Sequence, residues 1–560
     1  MQRLITHLRC LIVILNIILC INCSGDNASL EDTYRVQTVE PNVNSNGIEG
    51  SDDSKNENEI KEEDPYAGED LIPVHGRYSA VYEQDWSLLG NGKEEAQHDL
   101  SNIEFTAVTY QESGSKNEAY YFTDQESAVI KDVALEITWD VSESSNYNTS
   151  FIYINNVEDI TIENLYIKQM NDEQLGSYTI VINDCGKLHI KNVYISGPIR
   201  KSHISVDDCE EVLIENVELA GKAIEHDGNE YYIMGGGISI DFGSKGSQPL
   251  REPKWLVMQN IYIHDFNFTE IDGDRNHDAI AIRSPGDGIL FNTYIENWRL
   301  SGINDQGYDV SGSGMDIGHA RWELGSDYTN KLFRVERNVL VNSPSNKTAA
   351  YDWESNSLFF ANNIYYNSSL LSYSCKTPIY QIHETHYIDA DFAANEVWKS
   401  TGCTLAGDGI PHAQVYRENS LVVATDSVLE KFVTLSGGLS SSLDGDNILN
   451  YDHNTYLFNA DPIAWQNSLL EEEDPGIPYL MSWSDWQANG QDVNSTYNKT
   501  SDDCFKDAAN GDFSLLSTCE AKNNGSNNYK NLIDYDGTKV MQDFNGNERD
   551  ELTPSAGAFE

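Results

Sequence analysis

One segment of the chain, residues 264–354, concentrates side chains that can carry out acid–base or metal chemistry. Its candidate groups are Asp278, Asp305, Asp309, Asp316, His319, Arg321, Lys347 and Glu354. Carboxylates bind divalent cations or act as paired acids and bases, whereas lysine, arginine and histidine bind anions and transfer protons. We therefore take this segment as the candidate functional region.

The charge of this segment differs from that of the whole chain. The protein has 560 residues and a formal net charge of −54, which excludes a general nucleic-acid binder and argues against docking on anionic membranes. Arg275 to Lys347 contains eight basic and nine acidic residues, a net of −1, whereas the chain average would give about −7. Such a region suits an anionic substrate; structural ion pairs are the alternative explanation.

The candidate segment belongs to a repeating pattern of apolar strings around an asparagine. In residues 160–167, 188–195 and 212–219, apolar residues alternate on both sides of a central Asn. The equivalent asparagines are Asn164, Asn192, Asn216, Asn260, Asn338 and Asn363, with a weaker copy at Asn292. Their spacings of 28, 24, 44, 32, 46 and 25 residues indicate a unit of about 24 residues with insertions in three turns.

This alternation predicts short half-buried strands that meet at an Asn turn. A strand, an Asn turn and a second strand, repeated at this period, predict an all-β right-handed parallel β-helix, a single-stranded solenoid with turn insertions. We expect this domain to cover residues 76–560, with an N-terminal cap over 76–130 and final coils at the C-terminus. The six main asparagines should occupy equivalent turns, within one or two residues.

The N-terminus has the pattern of an exported protein. A basic start and the apolar run 11–21, too short to span a bilayer, predict a signal peptide over residues 1–23. Cys23 resembles the lipidated cysteine of bacterial lipoprotein signals, although Asn22 replaces the small residue usual before it. Residues 24–75 are acidic and poor in large apolar residues, which predicts a disordered linker. We expect a protein secreted by a bacterium, or anchored at its outer membrane or surface only through a lipid.

Three pairs of cysteines have spacings that allow a structural prediction. Cys185 and Cys209 are one 24-residue period apart, so they should stack on adjacent coils. Side chains that point the same way from parallel strands do not readily reach the dihedral angle of a disulfide, so we predict two stacked, buried thiols. Cys504 and Cys519, like Cys375/Cys403, are candidates for a local bridge.

Residues 305–309, Asp-Gln-Gly-Tyr-Asp, resemble the calcium motif of polysaccharide lyase family nine, the β-helix pectate lyases. That family has the pattern Asp-Asp-Gly-aromatic-Asp, with another Asp one coil earlier and a Lys about one and a half coils later. Asp278 precedes Asp305 by 27 residues, and Lys347 follows the end of the motif by 38. Gln306 replaces the second Asp, and the glycine-rich context of the family's lysine is absent around Lys347.

The resemblance implies a calcium-assisted β-elimination on an acidic polysaccharide. The implied calcium ligands are Asp278, Asp305, Gln306 and Asp309. Lys347 would be the base that abstracts the proton beside the uronate carboxylate, and Arg321 would stabilise the enolate-like charge. The residues expected to bind substrate are Arg283, Tyr308, His319 and Trp322. Asp278, Asp305, Asp309, Arg321 and Lys347 should therefore converge on one groove.

Two other functions remain open from the sequence. A β-helix glycoside hydrolase would use paired carboxylates, and Asp305, Asp309, Asp316 and Glu354 are the candidates. A non-catalytic surface protein would bind glycans on aromatic platforms, for which Trp298, Trp322, Trp353 and Tyr308 are available. Because basic and acidic groups cluster in one segment, we favour a monomeric polysaccharide-degrading enzyme.

Overall fold

The repeated strings form consecutive parallel strands, as their spacing predicts. In the computed structural model, strand β3 (Ser150–Gln169) pairs in parallel with β4 (Tyr178–Ser196), and β4 pairs in parallel with β5 (Ser202–Ala220). The register places Leu188 opposite Val212, one 24-residue repeat further on. Each repeat is therefore one coil of a parallel β-helix.

The structure describes most of the repeat region and the C-terminal segment. The described residues are 98–111, 120–140, 150–170, 177–199, 201–221, 224–226, 229–231, 236–242, 251, 253–268, 278–283, 287–300, 313–319, 332–342, 346–350, 357–368, 370–374, 379–389, 396–402, 415–425, 431–436, 449–458, 465–467, 482–488, 490–498, 504–527, 542–550 and 552–560. The signal and linker predicted for residues 1–75, with Cys23, and the bridge predicted between Cys375 and Cys403 lie outside them.

Each coil crosses three faces, which we name A, B and C in chain order. In the first coils one strand crosses all three faces, as in β3 to β5 and in β2 (Tyr120–Asp140), whose last residues pair with β1 (Thr106–Gln111). Face A continues through β8 (Gly236–Asp241), β11 (Ile280–Arg283), β14 (Met315–His319), β17 (Asn346–Ala350), β20 (Leu370–Ser374), β23 (Glu396–Gly402), β26 (Lys431–Ser436) and β29 (Trp465–Asn467).

Faces B and C continue together and then as separate strands. Both faces are crossed by β9 (Trp255–His264) and β12 (Asp287–Glu296). Face B then comprises β15 (Leu332–Glu336), β18 (Ser357–Ala361), β21 (Ile379–Ile382), β24 (Val415–Glu418) and β27 (Leu449–Asp452). Face C comprises β16 (Val339–Val341), β19 (Ile364–Tyr366), β22 (Thr385–Ile388), β25 (Leu421–Ala424), β28 (Thr455–Phe458) and β30 (Thr496–Asn498). Among the described residues, the strands of the three faces form one 26-stranded sheet.

A few short elements lie outside this sheet. They are β6 (Ile224–His226), β7 (Asn229–Tyr231), β10 (Asn267–Phe268), β13 (Arg299–Leu300), β31 (Phe505–Asp507), β32 (Asp512–Leu515), helix α1 (Trp483–Ala488) and the 3₁₀ turns Leu100–Asn102 and Ala508–Asn510. In the described part of the chain, no helix is long and apolar enough to span a membrane.

The turn between faces B and C is made by a residue in the left-handed backbone conformation. Asn164, Asn192, Asn216 and Asn260 all have φ between 54° and 55° at equivalent register positions. Asparagine tolerates this conformation better than most residues. The Asn192 Nδ2 donates to Asn164 Oδ1 at 3.0 Å, and Asn216 Nδ2 donates to Asn192 Oδ1, so the side chains form a ladder between coils.

From β15 onward the ladder moves inward by one residue. Arg337 and Asn362 now have the positive φ, and Asn338 and Asn363 follow them, with each Asn 1% exposed or less. The Asn338 Nδ2 donates to Leu290 O at 3.1 Å and to Asn363 Oδ1 at 3.0 Å. The predicted equivalence of the asparagines is therefore confirmed, with an offset of one residue in these later coils.

The lumen of the coils changes from aliphatic to polar along the stack. Ile180, Ile204, Ile238 and Ile280 occupy one register row and are fully buried, and each such side chain contributes about 1.5–3 kcal/mol by leaving water. In the later coils buried polar residues occupy interior positions on faces B and C and at the turns beside them. These are Asn363, Tyr365, Gln381, Glu384, His386, Arg417, Tyr451, Asn454, Tyr456 and Asp492.

These buried polar groups bind one another. The Arg417 Nε donates to Gln381 Oε1 at 2.7 Å, and its guanidinium lies 4.6 Å from the Tyr451 ring centre. Glu384 accepts from Tyr365 Oη at 2.6 Å and from Asn363 Nδ2 at 3.1 Å. Burial raises the pKa of Glu384 to about 8, although these hydrogen bonds oppose the shift. The folded protein therefore holds Glu384 protonated near neutral pH.

The C-terminal residues cover the outside of face C, whereas the sequence predicted further coils there. The last strand of the parallel sheet is β30, and β31 pairs with β32 in a separate antiparallel ribbon. Phe505, Phe513 and Phe559 belong to a cluster with Val339 and Ile364 of face C. Face C carries apolar residues on its outer side, and this segment removes them from water.

Cys185 and Cys209 stack on adjacent coils as predicted, but the prediction that they are free thiols is wrong. Cys185 and Cys209 occupy facing register positions with a Cα–Cα distance of 4.4 Å, and their sulfurs form a disulfide. Neighbouring strands bring the two Cα atoms within the range that a disulfide spans. The parallel direction of the two side chains does not prevent the bond. The local bridge between Cys504 and Cys519 is confirmed.

Replacement of Asn192 should separate the two contributions of the turn residue. Asn192→Ala loses the ladder bonds and places a Cβ-bearing residue without an amide at φ 54°, so we expect a loss of about 2–3 kcal/mol in the free energy of unfolding. Asn192→Gly loses the same bonds but adopts this backbone freely, so it should lose less. Guanidinium titrations of both variants measure the difference; equal losses would contradict the backbone argument.

Glu384 should make stability depend on pH in a defined window. An unfolded Glu releases its proton near pH 4.5, whereas folded Glu384 keeps its proton up to about pH 8, so stability should fall as pH rises between these values. Glu384→Gln removes this term and should flatten the decline, by on the order of 4 kcal/mol across the window. Urea midpoints of both proteins at pH 5 and pH 8 test this; parallel declines would refute it.

Candidate functional site

Face A brings several candidate residues to facing register positions. Ala281 of β11 faces Asp316 of β14, and Asp316 faces Lys347 of β17. Two residues after Ala281 on β11, Arg283 faces His319 of β14. Because neighbouring strands lie about 4.8 Å apart, these positions form a small patch on three consecutive strands.

The patch lies on the outer side of the coils. Ile280 and Ile282 of β11 and Met315 and Ile317 of β14 are all fully buried in the lumen. Since side chains alternate along a strand, the residues between them project outward. Asp316 is nevertheless only 1% exposed, so other parts of the chain cover it.

A β-bulge brings His319 opposite Arg283. The register runs from Ile282 opposite Ile317 to Arg283 opposite His319, which leaves Gly318 as an extra residue. Gly318 has φ 109°, a conformation that residues with a Cβ rarely adopt. Bulges of this kind change the register of the following side chain and are frequent next to active sites.

Two carboxylates that sequence analysis did not name continue the Arg283 row. Asp207 of β5 faces Asp241 of β8, and Asp241 faces Arg283. All three side chains are half-buried. Alignment of the repeat from one strand to the next would have found them, but insertions between these strands hide the correspondence.

The Arg283 guanidinium is available for an anionic ligand. Within the described ranges, no side chain or backbone oxygen forms a hydrogen bond or an ion pair with this guanidinium. A half-buried arginine without such a partner can donate two parallel hydrogen bonds to a carboxylate or a sulfate. The substrate-binding role of Arg283 stays a prediction.

Asp278 has a structural role that the sequence did not predict. It precedes β11, is 4% exposed, and accepts hydrogen bonds from Ser313 N at 2.9 Å and Ser313 Oγ at 2.6 Å. Ser313 precedes β14, so this carboxylate joins the starts of two neighbouring strands. No group of three metal-binding side chains occurs among the residues that the structure describes, so the described residues alone do not form the predicted calcium site.

Most of the other candidates lie outside the described residues. These are Asp305, Gln306, Tyr308, Asp309, Arg321, Trp322, Trp353 and Glu354. The predicted convergence of five residues on one groove therefore stays a prediction. Asp278 directly precedes β11 and Lys347 lies on β17, two strands further along face A.

Trp298 is not the sugar-stacking platform that the binding-protein hypothesis requires. It is fully buried, and its ring centre lies 4.9 Å from that of Phe266 in the core. The indole fills space where the chain leaves face C, which excludes contact with a polysaccharide.

Sequence comparisons do not identify a family for this chain. A comparison with known protein families finds no family that matches this chain, and a search of curated proteins finds no similar sequence. The parallel β-helix and the register of face A are thus the basis for functional inference.

Removal of the Asp278 carboxylate should destabilise the protein even without calcium. Asp278→Ala leaves the buried Ser313 N–H and Oγ without this acceptor, and we expect a loss of about 1–3 kcal/mol in the free energy of unfolding. Urea unfolding in the presence of a calcium chelator measures this loss. A control, Asp159→Ala, changes an exposed carboxylate of β3. An Asp278 variant as stable as wild type under these conditions would contradict the structural role.

Proposed function

We propose that this protein degrades an acidic polysaccharide on face A, by β-elimination. The observation that carries the proposal is the register of face A, which aligns Arg283 with His319 and Asp316 with Lys347. These residues come from three separate coils, and only the stacking of the coils unites them. An acid, a base and an anion-binding group within one patch is the set that such a reaction needs.

An extended polymer fits the surface that these strands form. Equivalent positions recur at each coil, about 4.8 Å apart, so a chain laid across the strands meets similar positions repeatedly. The longest connections along the chain, such as 221–235, 242–254 and 297–314, begin or end at face A, whereas two residues join β15 to β16. Sequence variation that sets specificity usually resides in such connections.

The proposed chemistry assigns one task to each group. Lys347 removes the proton on the carbon beside the uronate carboxylate, the carbon–oxygen bond to the leaving sugar breaks, and a carbon–carbon double bond forms. The leaving oxygen takes up a proton from solvent, so no water is consumed overall. Arg283 binds the uronate carboxylate and stabilises the negative charge that develops on it. Because the base must be unprotonated, we expect the rate to rise with pH above neutrality.

A role for calcium is tested separately from the steps assigned to Arg283 and Lys347. The family resemblance assigns Asp278, Asp305, Gln306 and Asp309 to the metal, and Asp278 is the one member that the structure describes. A chelator that suppresses activity, with recovery on addition of calcium, would support a metal role. The steps assigned to Arg283 and Lys347 do not depend on it.

Hydrolysis is the second candidate, because face A also gathers carboxylates. Asp207 and Asp241 face each other on neighbouring strands, and Asp316 lies two strands further on. Inverting glycosidases need two carboxyl groups about 6.5–9.5 Å apart with water between them. Under this alternative Lys347 would only bind substrate.

We also propose that the protein is exported. The disulfides Cys185–Cys209 and Cys504–Cys519 of the described residues support this, because such bonds persist mainly in oxidising compartments. The signal pattern of residues 1–23 agrees with it. Metabolic labelling with a fatty acid, in wild type and in Cys23→Ser, would tell lipid anchoring from simple secretion.

Lys347→Met should abolish turnover with little loss of substrate binding. Removal of a general base costs about 10²- to 10⁴-fold in rate. Turnover is followed by the near-ultraviolet absorbance of the unsaturated product and, in parallel, by new reducing ends. Lys131→Met is the control, since Lys131 is 48% exposed on face B in an ion pair with Glu163. If wild type produces new reducing ends without near-ultraviolet absorbance, and Lys347→Met retains activity, the enzyme is a hydrolase and not a lyase.

A further inference from the structure

A buried carboxyl group on the outer side of face B lacks a partner within the described part of the chain. Glu418 is the last residue of β24, is 8% exposed, and has an enclosed Oε2 atom. Among the described residues, no group forms a hydrogen bond or an ion pair with this carboxyl. Glu384, by contrast, is bound by Tyr365 and Asn363. Because native proteins satisfy nearly all buried polar groups, an exception of this kind calls for a functional explanation.

A second carboxylate lies beside Glu418 on the next coil. Asp452 is the last residue of β27 and faces Glu418 in the register. The preceding residues, Arg417 and Tyr451, are buried in the lumen, so Glu418 and Asp452 project outward on the same side. Two carboxyl groups at facing positions of neighbouring strands are about 5 Å apart.

Asp452 differs from Glu418 in its surroundings. The backbone N–H and the Nδ2 of Asn494 each donate to it at 2.7 Å, and His453 Nδ1 lies 3.2 Å from its Oδ2. The Asp452 side chain is 30% exposed. Solvent therefore reaches the pair from the side of Asp452.

These surroundings favour different protonation states for the two groups. Burial raises the pKa of Glu418 to about 7, His453 opposes the shift, and the charge of Asp452 adds to it. Burial also disfavours the charge on Asp452, but hydrogen bonds from His453 and Asn494 outweigh it and lower the pKa of Asp452 to about 2. Near neutral pH, Glu418 can thus donate a proton while Asp452 is ionised. Glycosidases divide the roles of acid and nucleophile between two carboxyl groups in this way.

Aromatic rings flank the pair on the same side of the sheet. Tyr380 of β21 and Tyr416 of β24 stack with ring centres 5.0 Å apart. Tyr416 lies two residues before Glu418, and the next position of this row is Asn450 on β27. The row of rings therefore ends beside the two carboxyl groups, where it offers apolar surface to a sugar ring. Ile382, which faces Glu418 on the preceding strand, adds no charge.

We propose that Glu418 and Asp452 form a second site, which hydrolyses the glycosidic bond of an uncharged sugar with retention of configuration. Asp452 attacks the anomeric carbon and forms an ester bond, while Glu418 gives its proton to the leaving oxygen as the carbon–oxygen bond breaks. Glu418 then takes a proton from a water molecule, whose oxygen displaces Asp452 from the sugar. Carboxyl groups about 5 Å apart suit this route, whereas inversion needs about 6.5–9.5 Å. An acidic sugar would be repelled by Asp452.

The inference is independent of the proposed function. Glu418 and Asp452 lie on face B, whereas Arg283 and Lys347 lie on face A. The two substrates also differ in charge. Failure to cleave an acidic polysaccharide would therefore leave this inference standing.

Hydrolysis of simple glycosides tests the inference. The full chain is incubated with phenyl α- and β-glycosides of glucose, galactose, mannose and xylose, and release of phenol is measured by liquid chromatography. Proton NMR should show that the sugar is first released with the configuration of the substrate. Glu418→Gln, a substitution of equal size, should lower kcat/KM by about 10²- to 10⁴-fold. The control Glu126→Gln changes an exposed glutamate of β2 and should have no effect.

Two further readouts distinguish catalysis from a structural role of Glu418. Because Glu418 must be protonated to donate, kcat/KM of wild type should fall as pH rises above about 7, and Glu418→Gln should lack this decline. An activated 2-fluoro analogue of the best substrate should attach covalently to Asp452, as shown by peptide mass spectrometry. These wild-type measurements decide the inference if the variant does not fold. Absence of hydrolysis with every glycoside, inversion of configuration, or full activity of folded Glu418→Gln would overturn it.

Discussion

The turn residue between faces B and C is the constraint on which the rest of the structure depends. In the early coils Asn164, Asn192, Asn216 and Asn260 adopt the left-handed conformation, and the Asn192 amide also binds the coils on both sides. A slip of one residue would exchange lumen and surface side chains along a whole strand. The ladder thus fixes the register that places Asp316 opposite Lys347 on a distant face.

The change from an aliphatic to a polar lumen adds a second constraint. Isoleucine stacks in the early coils tolerate small shifts because apolar contacts are not directional. Glu384 and Arg417 must instead find their partners, since a buried polar group without hydrogen bonds costs several kcal/mol. Asn338 and Asn363, the buried ladder residues of the later coils, form hydrogen bonds within this polar part of the lumen. The one-residue offset of the ladder therefore occurs where the lumen becomes polar. The later coils consequently gain a specific register and a stability that depends on pH.

The candidate site combines rigid and variable parts. The Asp278–Ser313 bonds and the Gly318 bulge hold β11 and β14 in relation to each other, and Arg283 occupies the row that the bulge completes. The longest connections adjoin the same face. This combination of a rigid sheet with long connections at its margins is the basis of our proposal that an extended polymer binds on face A.

The sequence by itself determined the repeat, the fold class and the equivalence of the asparagines, because the period and the alternation are local properties of the chain. It also placed Cys185 beside Cys209, one uninterrupted period away. Only the tertiary structure decided that these cysteines are bonded and that Trp298 is buried, since both depend on packing across coils. The row that contains Asp207, Asp241 and Arg283 was equally hidden, because insertions of unequal length break the count of residues between strands. Hydrogen bonds between strands fix which residues face each other. This register, which the sequence alone does not reveal, defines the candidate site.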